Sequence, residues 1–448
     1  VLRDFVLCRG FEPAQPVDWF GVRAHLTDAA KAACTLFSTS AGCFFINKSY
    51  IRKKKTVFVK SAAGCLKSCP YSIHPPQKGH LMALQTLLTQ IAALAQKELA
   101  PIVQEIDRKG VYPEQFMREL GKIGGYQSVG SVEEGGNGLG LTAQILAIRE
   151  VGKICGATAF SVWCQAACAW YLHKTPNAAA KTRYLADVLQ GKVLAGTGMS
   201  NTVKHLAGIE GHNLRAEKTE GGYRVNGVLP WVSNLGDTHI WANTAAVDGG
   251  YVMFITGAQR EGVTLNPCPE FCALEGTRTF ALKFDNVFVP HEDVLAEPEQ
   301  FSAYIQSIKA GFILLQIGIG AGIIDGCLKE IEAANVGGGE VNFYLDDQID
   351  DLQARFDTLL QKTVKLGDAA WQGEASILET LQTRLAAAEL CLAAAQSAAL
   401  HAGAKGYLVR SPVQRRVREA MFVAIVTPAT KHLRKEIADL EFSGEFSI

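Results

Sequence analysis

The hydrophobic period changes twice along this chain, and that change restricts its fold more than any other feature. From Gly196 to Pro290, short alternating runs are separated by Gly, Asn and Asp. The stretch opens with Gly196-Thr197-Gly198-Met199-Ser200-Asn201 and passes Gly222-Tyr223-Arg224-Val225-Asn226-Gly227. It then reaches Pro230-Trp231-Val232-Ser233-Asn234 and closes at Phe284-Asp285-Asn286-Val287-Phe288-Val289-Pro290. Period-two runs with turn residues between them predict β-strands. On both sides the apolar residues recur at helical spacing: Leu84, Leu87, Leu88, Ile91, Leu94 and Ala95 form one stripe, and Phe116, Leu120 and Ile123 another behind Pro113. An α+β chain follows, with an all-β insert between two helical domains. The expected domains are 82–194, 195–298 and 299–448, and a chain of 448 residues, 48% apolar and 20% charged, can bury cores of that size.

The helical parts divide at glycine and proline. A glycine-rich loop at 132–139 precedes helices through 143–154, 157–173 and 178–190. After the β section, 301–333 predicts one helix or a kinked pair, ended by a Gly337-Gly338-Gly339 loop. Long helices over 346–372 and 377–402, a loop at Gly403–Gly406 and a last helix over 412–440 complete the chain. The longest apolar stretch, 310–324, holds four glycines and Gln316. It is shorter than the ~20 residues a bilayer requires, so it predicts a buried core helix and no membrane span.

Formal net charge is zero, which gives no footprint for nucleic acid or an anionic membrane. The zero conceals an asymmetry: residues 1–81 carry twelve Lys and Arg against four acids, a balance of +8, and five of the twelve cysteines. No periodicity persists there, and the first methionine is Met82. A basic, acid-poor segment containing serine suits a transit peptide. The reading preferred is a leader that is not part of the native fold, ahead of a protein beginning at Met82. The seven other cysteines are dispersed singly, mostly in apolar runs, as expected of buried thiols in a reducing, cytoplasmic setting. Neither they nor His173, His205 and His212 have metal-ligand spacing, so no metal site is expected. The Gly135-Gly136-Asn137-Gly138 run lacks the strand-to-helix setting of a phosphate-binding loop.

Trp231-Val232-Ser233 is the first candidate for chemistry. Strand alternation puts Trp231 and Ser233 on one face. An aromatic plane beside a hydroxyl suits a flat ring with polar edges; the plain alternative is a core Trp with Ser facing solvent. Together with Val225-Asn226-Gly227 upstream and the Val287–Pro290 exit, the box resembles the acyl-CoA dehydrogenase family of flavoproteins. The resemblance covers nearly all of 82–448. It implies a helical N-terminal domain, a β-barrel-like middle domain and a C-terminal four-helix bundle, with FAD between the last two. By resemblance Trp231 packs on the flavin and Ser233 bonds near its N5, while Thr197, Met199 and Ser200 reach the pyrimidine edge. Gly403 and Gly406, in His401-Ala-Gly403-Ala-Lys-Gly406-Tyr407, resemble the loop that approaches the adenosine part across a subunit contact. Val413-Gln-Arg415-Arg-Val-Arg418-Glu419-Ala420 parallels a family helix whose arginines pair between helices.

The resemblance also implies the activity: oxidation of an acyl-CoA in fatty acid metabolism, a homodimer or homotetramer, and a flavoprotein electron acceptor. The reaction removes the α-proton of a thioester while hydride leaves Cβ for flavin N5, so a carboxylate must lie within reach of that proton. Here the family's two base positions carry Thr427 and Ile308, with Lys309 in place of an Arg. Neither is an acid, and the catalytic base is left unassigned among Glu419, Glu436 and Glu133-Glu134. Three readings stay open: a dehydrogenase whose base comes from another element, a flavin monooxygenase on the same fold, or an inactive flavin- or partner-binding paralogue. The family's Gly-Ser-Asp after the first strand and its interfacial Arg-x-x-Phe-Gly are also missing. Near them stand His205-Leu206-Ala207 and Asn342-Phe343-Tyr344.

Overall fold

The computed structural model describes residues 78–445. The expectation of a leader over 1–81 therefore lies, up to residue 77, outside the described residues. Helix α1 spans Lys78–Leu94 and runs through a π turn at Ala95–Leu99. It is followed by α2 (Val103–Lys109), α3 (Glu114–Lys122), α4 (Gly140–Gly152), α5 (Gly156–Lys174) and α6 (Ala178–Leu189). The sequence stripe is the buried one: Leu87, Ile91, Ala95 and Leu99 face the core. Helix α5 is apolar all round and is buried from Gly156 to Leu172, the behaviour of a core helix.

The middle region holds β1 (Ala195–Thr197), α7 (Ser200–Leu206), β2 (Leu214–Thr219), β3 (Gly222–Val232) and β4 (Ile240–Val247). Strands β5 (Gly250–Gly257), β6 (Val263–Pro267), β7 (Phe280–Pro290) and β8 (Val294–Ala296) complete it. They form one sheet in the order β6-β7-β3-β2-β4-β5-β8, with β1 parallel to β4. The sheet does not close, which corrects the barrel-like expectation: its edges are β6, ending at Pro267 without an N–H to donate, and the three-residue β8. Alternation supplies two cores. Ala242, Met253 and Ile255 face the helices, while Trp241, Val252 and Phe254 pack with Phe284 on the other side. The section is not all β, because Ser200 opens α7 where a strand was expected. Asn201 ties that helix down, accepting from the Asn213 N–H at 2.8 Å and donating to Gly211 O at 2.9 Å.

The C-terminal part consists of α8 (Pro298–Asn342), α9 (Ile349–Gln372), α10 (Ile377–Ala402), α11 (Pro412–Ile425) and α12 (Thr430–Glu445). Helix α8 begins with Pro298 and a capping box between Glu297 and Gln300. It runs 45 residues without a kink pair and continues through Gly337–Gly339, so no loop exists there. Its end is held by Asn342, which donates to Asn335 Oδ1 at 2.9 Å and to His401 O at 3.3 Å. Both α8 and α10 are long and apolar enough to cross a bilayer, contrary to the shorter stretch read from sequence; the apolar window of α8 is 94% buried inside the protein, as in a core helix. The expected helix over 412–440 is two helices, because Pro428 can donate no backbone hydrogen bond and drives Thr427 away from helical geometry.

Arg415 and Arg418 do not form a solvated basic face. Arg418 makes a two-pronged pair with Asp107 of α2, at 2.8 and 2.6 Å. Arg415 pairs with Glu419 at 2.8 Å with both side chains under 5% exposed, and Glu419 also accepts from the Gly156 N–H, the first of α5, at 3.0 Å. Glu419 is thus a structural acid that joins α11 to α5. Glu419→Ala leaves Arg415 buried without its counter-ion and should cost ~3–5 kcal/mol in urea unfolding. A loss near zero would mean the pair is not buried in solution.

Candidate functional site

A cavity of about 680 Å³ lies between the sheet and the C-terminal helices. Its walls are Tyr171 of α5, Met199 and the apolar face of α7, Tyr251 of β5, and Phe301, Ile305, Ile308, Lys309 and Phe312 on the first turns of α8. Lys435, Glu436 and Asp439 of α12 line the remaining side. An apolar enclosure of this size with a few polar groups is the usual form of a small-molecule site.

Five of the residues singled out from sequence gather around β1 and its exit, which meets the cavity at Met199. Tyr171 and Thr197 share a hydrogen bond of 3.1 Å between their hydroxyls, and Met199 itself lines the cavity. The Ser200 and Thr427 hydroxyls are 2.8 Å apart, so β1's exit and one of the two base positions meet directly. Ser233 bonds Thr279 at 2.6 Å, and the next residue, Asn234, donates to Ala195 O at 2.8 Å, fixing the end of β3 against β1. A Cβ added at Gly196 would overlap the Ser233 carbonyl, so that approach requires glycine.

Trp231 departs from expectation. Simple alternation would place it beside Ser233, but β3 shifts register between Leu229 and Val232, and Trp231 has φ +56°. That turn sends the indole outward, 63% exposed and edge-on to Phe271 at 6.2 Å, while Val232 and Ser233 are buried. A bulky side chain in the left-handed region costs ~1–3 kcal/mol, and such strain clusters at functional sites. Gly403 and Gly406 are elsewhere: they form the turn after α10, packed towards α11, with Tyr407 exposed. Within one chain the structure does not bring them to the β1 cluster.

Ile308 is 3% exposed, and its carbonyl accepts from the Trp170 indole N–H at 3.1 Å. Thr427 O accepts from Gln316 at 2.8 Å, and Gln316 Oε1 accepts from Arg384 at 3.0 Å. Arg384 is fully buried and also donates to Val423 O at 2.7 Å; burial pushes its guanidinium down to about 10. This chain of bonds holds the Thr427 segment from inside the helical core.

The unplaced acids now separate. Glu134 bonds Lys181 at 2.9 Å and His173 at 2.6 Å. Burial opposes its charge, but Lys181, the Ser131 N–H and His173 outweigh burial and hold the carboxyl down to about 2. It pins the glycine-rich loop to α5 and α6. Glu436 instead faces the cavity, bonded to Lys309 at 2.6 Å and to His432 Nε2 at 2.6 Å. The i, i+4 spacing of His432 and Glu436 on a helix was a legible signal for this pair. Tyr171, inside a helix buried from Gly156 to Leu172, gave none. His205 and His212 are satisfied, by Glu210 O and Tyr251 and by Leu214 O and Thr244 respectively, at 2.7–3.0 Å. No metal-binding group of His, Cys, Asp and Glu occurs among the described residues.

Comparison with known proteins agrees with this architecture. Residues 83–192 match the acyl-CoA dehydrogenase N-terminal domain, and residues 349–427 match the acyl-CoA dehydrogenase C-terminal domain. A mitochondrial isovaleryl-CoA dehydrogenase of Pongo abelii is 24% identical over 375 residues, 80% of this chain and 88% of the relative. Butyryl-CoA dehydrogenase from Megasphaera elsdenii has the same fold, with TM-score 0.72, 20% identity, and 80% of this chain and 98% of that one covered. A glutaryl-CoA dehydrogenase from Mycobacterium smegmatis in complex with FADH2 superposes with TM-score 0.70 at 16% identity, over 82% of this chain and 95% of that one. With both helical ends matched and the same three-part fold joining them, the chain belongs to the acyl-CoA dehydrogenase family.

Proposed function

We propose that this protein is an FAD-dependent oxidoreductase of acyl-CoA dehydrogenase type that takes an acyl thioester into the cavity beside β1. The observation that carries the reading is the apolar cavity of about 680 Å³ sharing Met199, and through Tyr171 also Thr197, with the residues that resemble a flavin site. Those residues fit a flavin. Trp231 presents an exposed aromatic plane, and the Thr197 and Ser233 hydroxyls lie near the close approach at Gly196. Asn243 Oδ1 is buried next to Gly198 without a hydrogen-bond partner among the described residues. Bound there, FAD would supply the two-electron acceptor. Thr197, Ser233 and the β1 backbone would hold it, while Phe301, Ile305 and Phe312 keep water from the acyl chain.

The mitochondrial relative's isovaleryl-CoA and the M. smegmatis neighbour's FADH2 support the substrate class and the cofactor. A homodimer or homotetramer is supported by the apolar side chains left outside near the Asn342–His401 bond, among them Phe343, Tyr344 and Tyr407, each at least 70% exposed. A cytoplasmic or other reducing setting suits the described cysteines, all of which are free. The second reading, a flavin monooxygenase, is favoured by one observation: neither Thr427 nor Ile308 is an acid.

Purified protein reconstituted with FAD should be yellow, and anaerobic addition of one of a set of acyl-CoAs of varied length should bleach it. Protein that stays colourless overturns both flavoenzyme readings. Bleaching by no thioester, with a hydroperoxyflavin spectrum once the reduced protein meets O₂, selects the monooxygenase. Thr427→Glu places a carboxylate beside Ser200 and should raise the rate of flavin reduction. An unchanged rate would remove Thr427 from the substrate's surroundings.

A further inference from the structure

We propose that Glu436 accepts the α-proton of the thioester, so that the base stands on the last helix in place of Thr427 or Ile308. The inference rests on the acyl thioester reading above. Among the described residues two acids line the cavity, Glu436 and Asp439. The Asp439 side chain is 61% exposed and bridged to Lys435 at 2.6 Å, so it belongs to the rim. The Glu436 side chain is 12% exposed and turned inward. Its ion partner, Lys309, directly follows Ile308 in the same wall. The pair therefore brings a carboxylate from α12 to the part of α8 where the family's minority base position falls.

The proton step balances without any redox partner. The Cα–H bond breaks, the proton goes to a Glu436 carboxylate oxygen, and the electron pair stays on the thioester as an enolate. Lys309 keeps its positive charge in the cavity wall while negative charge develops on that enolate, the arrangement that stabilises such a transition state. His432 fixes the other oxygen. Its Nε2 bonds Glu436 Oε1 at 2.6 Å, and its buried Nδ1 has no hydrogen-bond partner among the described residues.

The groups facing Glu436 are Lys309 from α8 and, on its own helix, His432, with Lys435 and Asp439 along the same cavity wall. The Arg434–Glu389 bridge towards α10 is exposed on the outside. Burial opposes the Glu436 charge, and His432 and Lys309 outweigh it, holding the carboxyl below its ordinary range. The base is thus ionised well into acid, and its working limb should move to higher pH when Lys309 is removed.

The test uses the full chain loaded with FAD in deuterium oxide, with β-thia acyl-CoAs of varied length. Their β sulfur has no hydride to give, so deuterium at Cα reports the proton step alone. Wild type should exchange the α-protons. Glu436→Gln should slow exchange by ~10²–10⁴-fold while calorimetric affinity changes only a few-fold, and Glu436→Asp should recover part of the rate. Lys309→Met should shift the acid limb of the exchange–pH profile upward, which a purely structural role would not do, and this limb decides the matter if Glu436→Gln does not fold. Exchange in Glu436→Gln within tenfold of wild type, or an unmoved limb in Lys309→Met, overturns the proposal alone. A wild type that bleaches with thioesters yet exchanges no α-proton also overturns it alone, whereas neither bleaching nor exchange overturns the thioester reading with it.

Discussion

The close packing of α5 against the buried middle of α8 is the constraint from which the rest of the structure follows. A Cβ at Gly311 would overlap the Trp170 indole, so α8 can lie against α5 only because that position is glycine. The same indole donates to Ile308 O, one turn earlier on α8. Burial on this scale removes α5 and the 311–324 stretch of α8 from solvent and fixes where the first turns of α8 emerge. Those turns supply Phe301, Ile305, Ile308 and Lys309 to the cavity. The position of the site is therefore a consequence of core packing, although no core residue does chemistry.

Around that core, buried charges act as joints. The Arg415–Glu419 pair joins α11 to the N-terminus of α5, and the Arg416 guanidinium donates to Lys153 O at 2.6 Å while lying against Gly326. Arg384, with no carboxylate partner among the described residues, reaches Thr427 through Gln316. Such groups add little net stability compared with apolar packing, but they are costly to break, which holds the helices in one register. The segment that carries Thr427 is set from behind by these bonds and touches Ser200 in front. The sequence signals for that arrangement are Gln316 within its apolar stretch, Arg384 and Pro428 after Thr427.

Much of the fold was legible because its hydrophobic periods are strong. The order of helical and β regions and the buried stripe of α1 follow from spacing alone. The readings that failed did so for local reasons. Gly337–Gly339 stays helical because Asn342 anchors the helix end across to His401, a contact about sixty residues distant in sequence that no propensity reports. Ser200 starts a helix because Asn201 finds partners in the following turn. Trp231 left the face of Ser233 because a register shift in β3 breaks the alternation on which that pairing relied.

For the candidate site, sequence singled out the strand exit at Thr197–Ser200, the Trp231–Ser233 box and the two base positions that lack an acid. It could name Glu436 only as one of several unplaced carboxylates, since a Glu on an amphipathic helix is solvated far more often than buried. By itself the sequence determined the family, the three-part order and what is missing from the family's pattern, because these depend on residue type and spacing. Only the tertiary structure decided which acid meets the cavity. That depends on the angle at which α12 returns to α8, set by the break at Pro428 and the Lys309–Glu436 contact, between residues 127 apart in the chain.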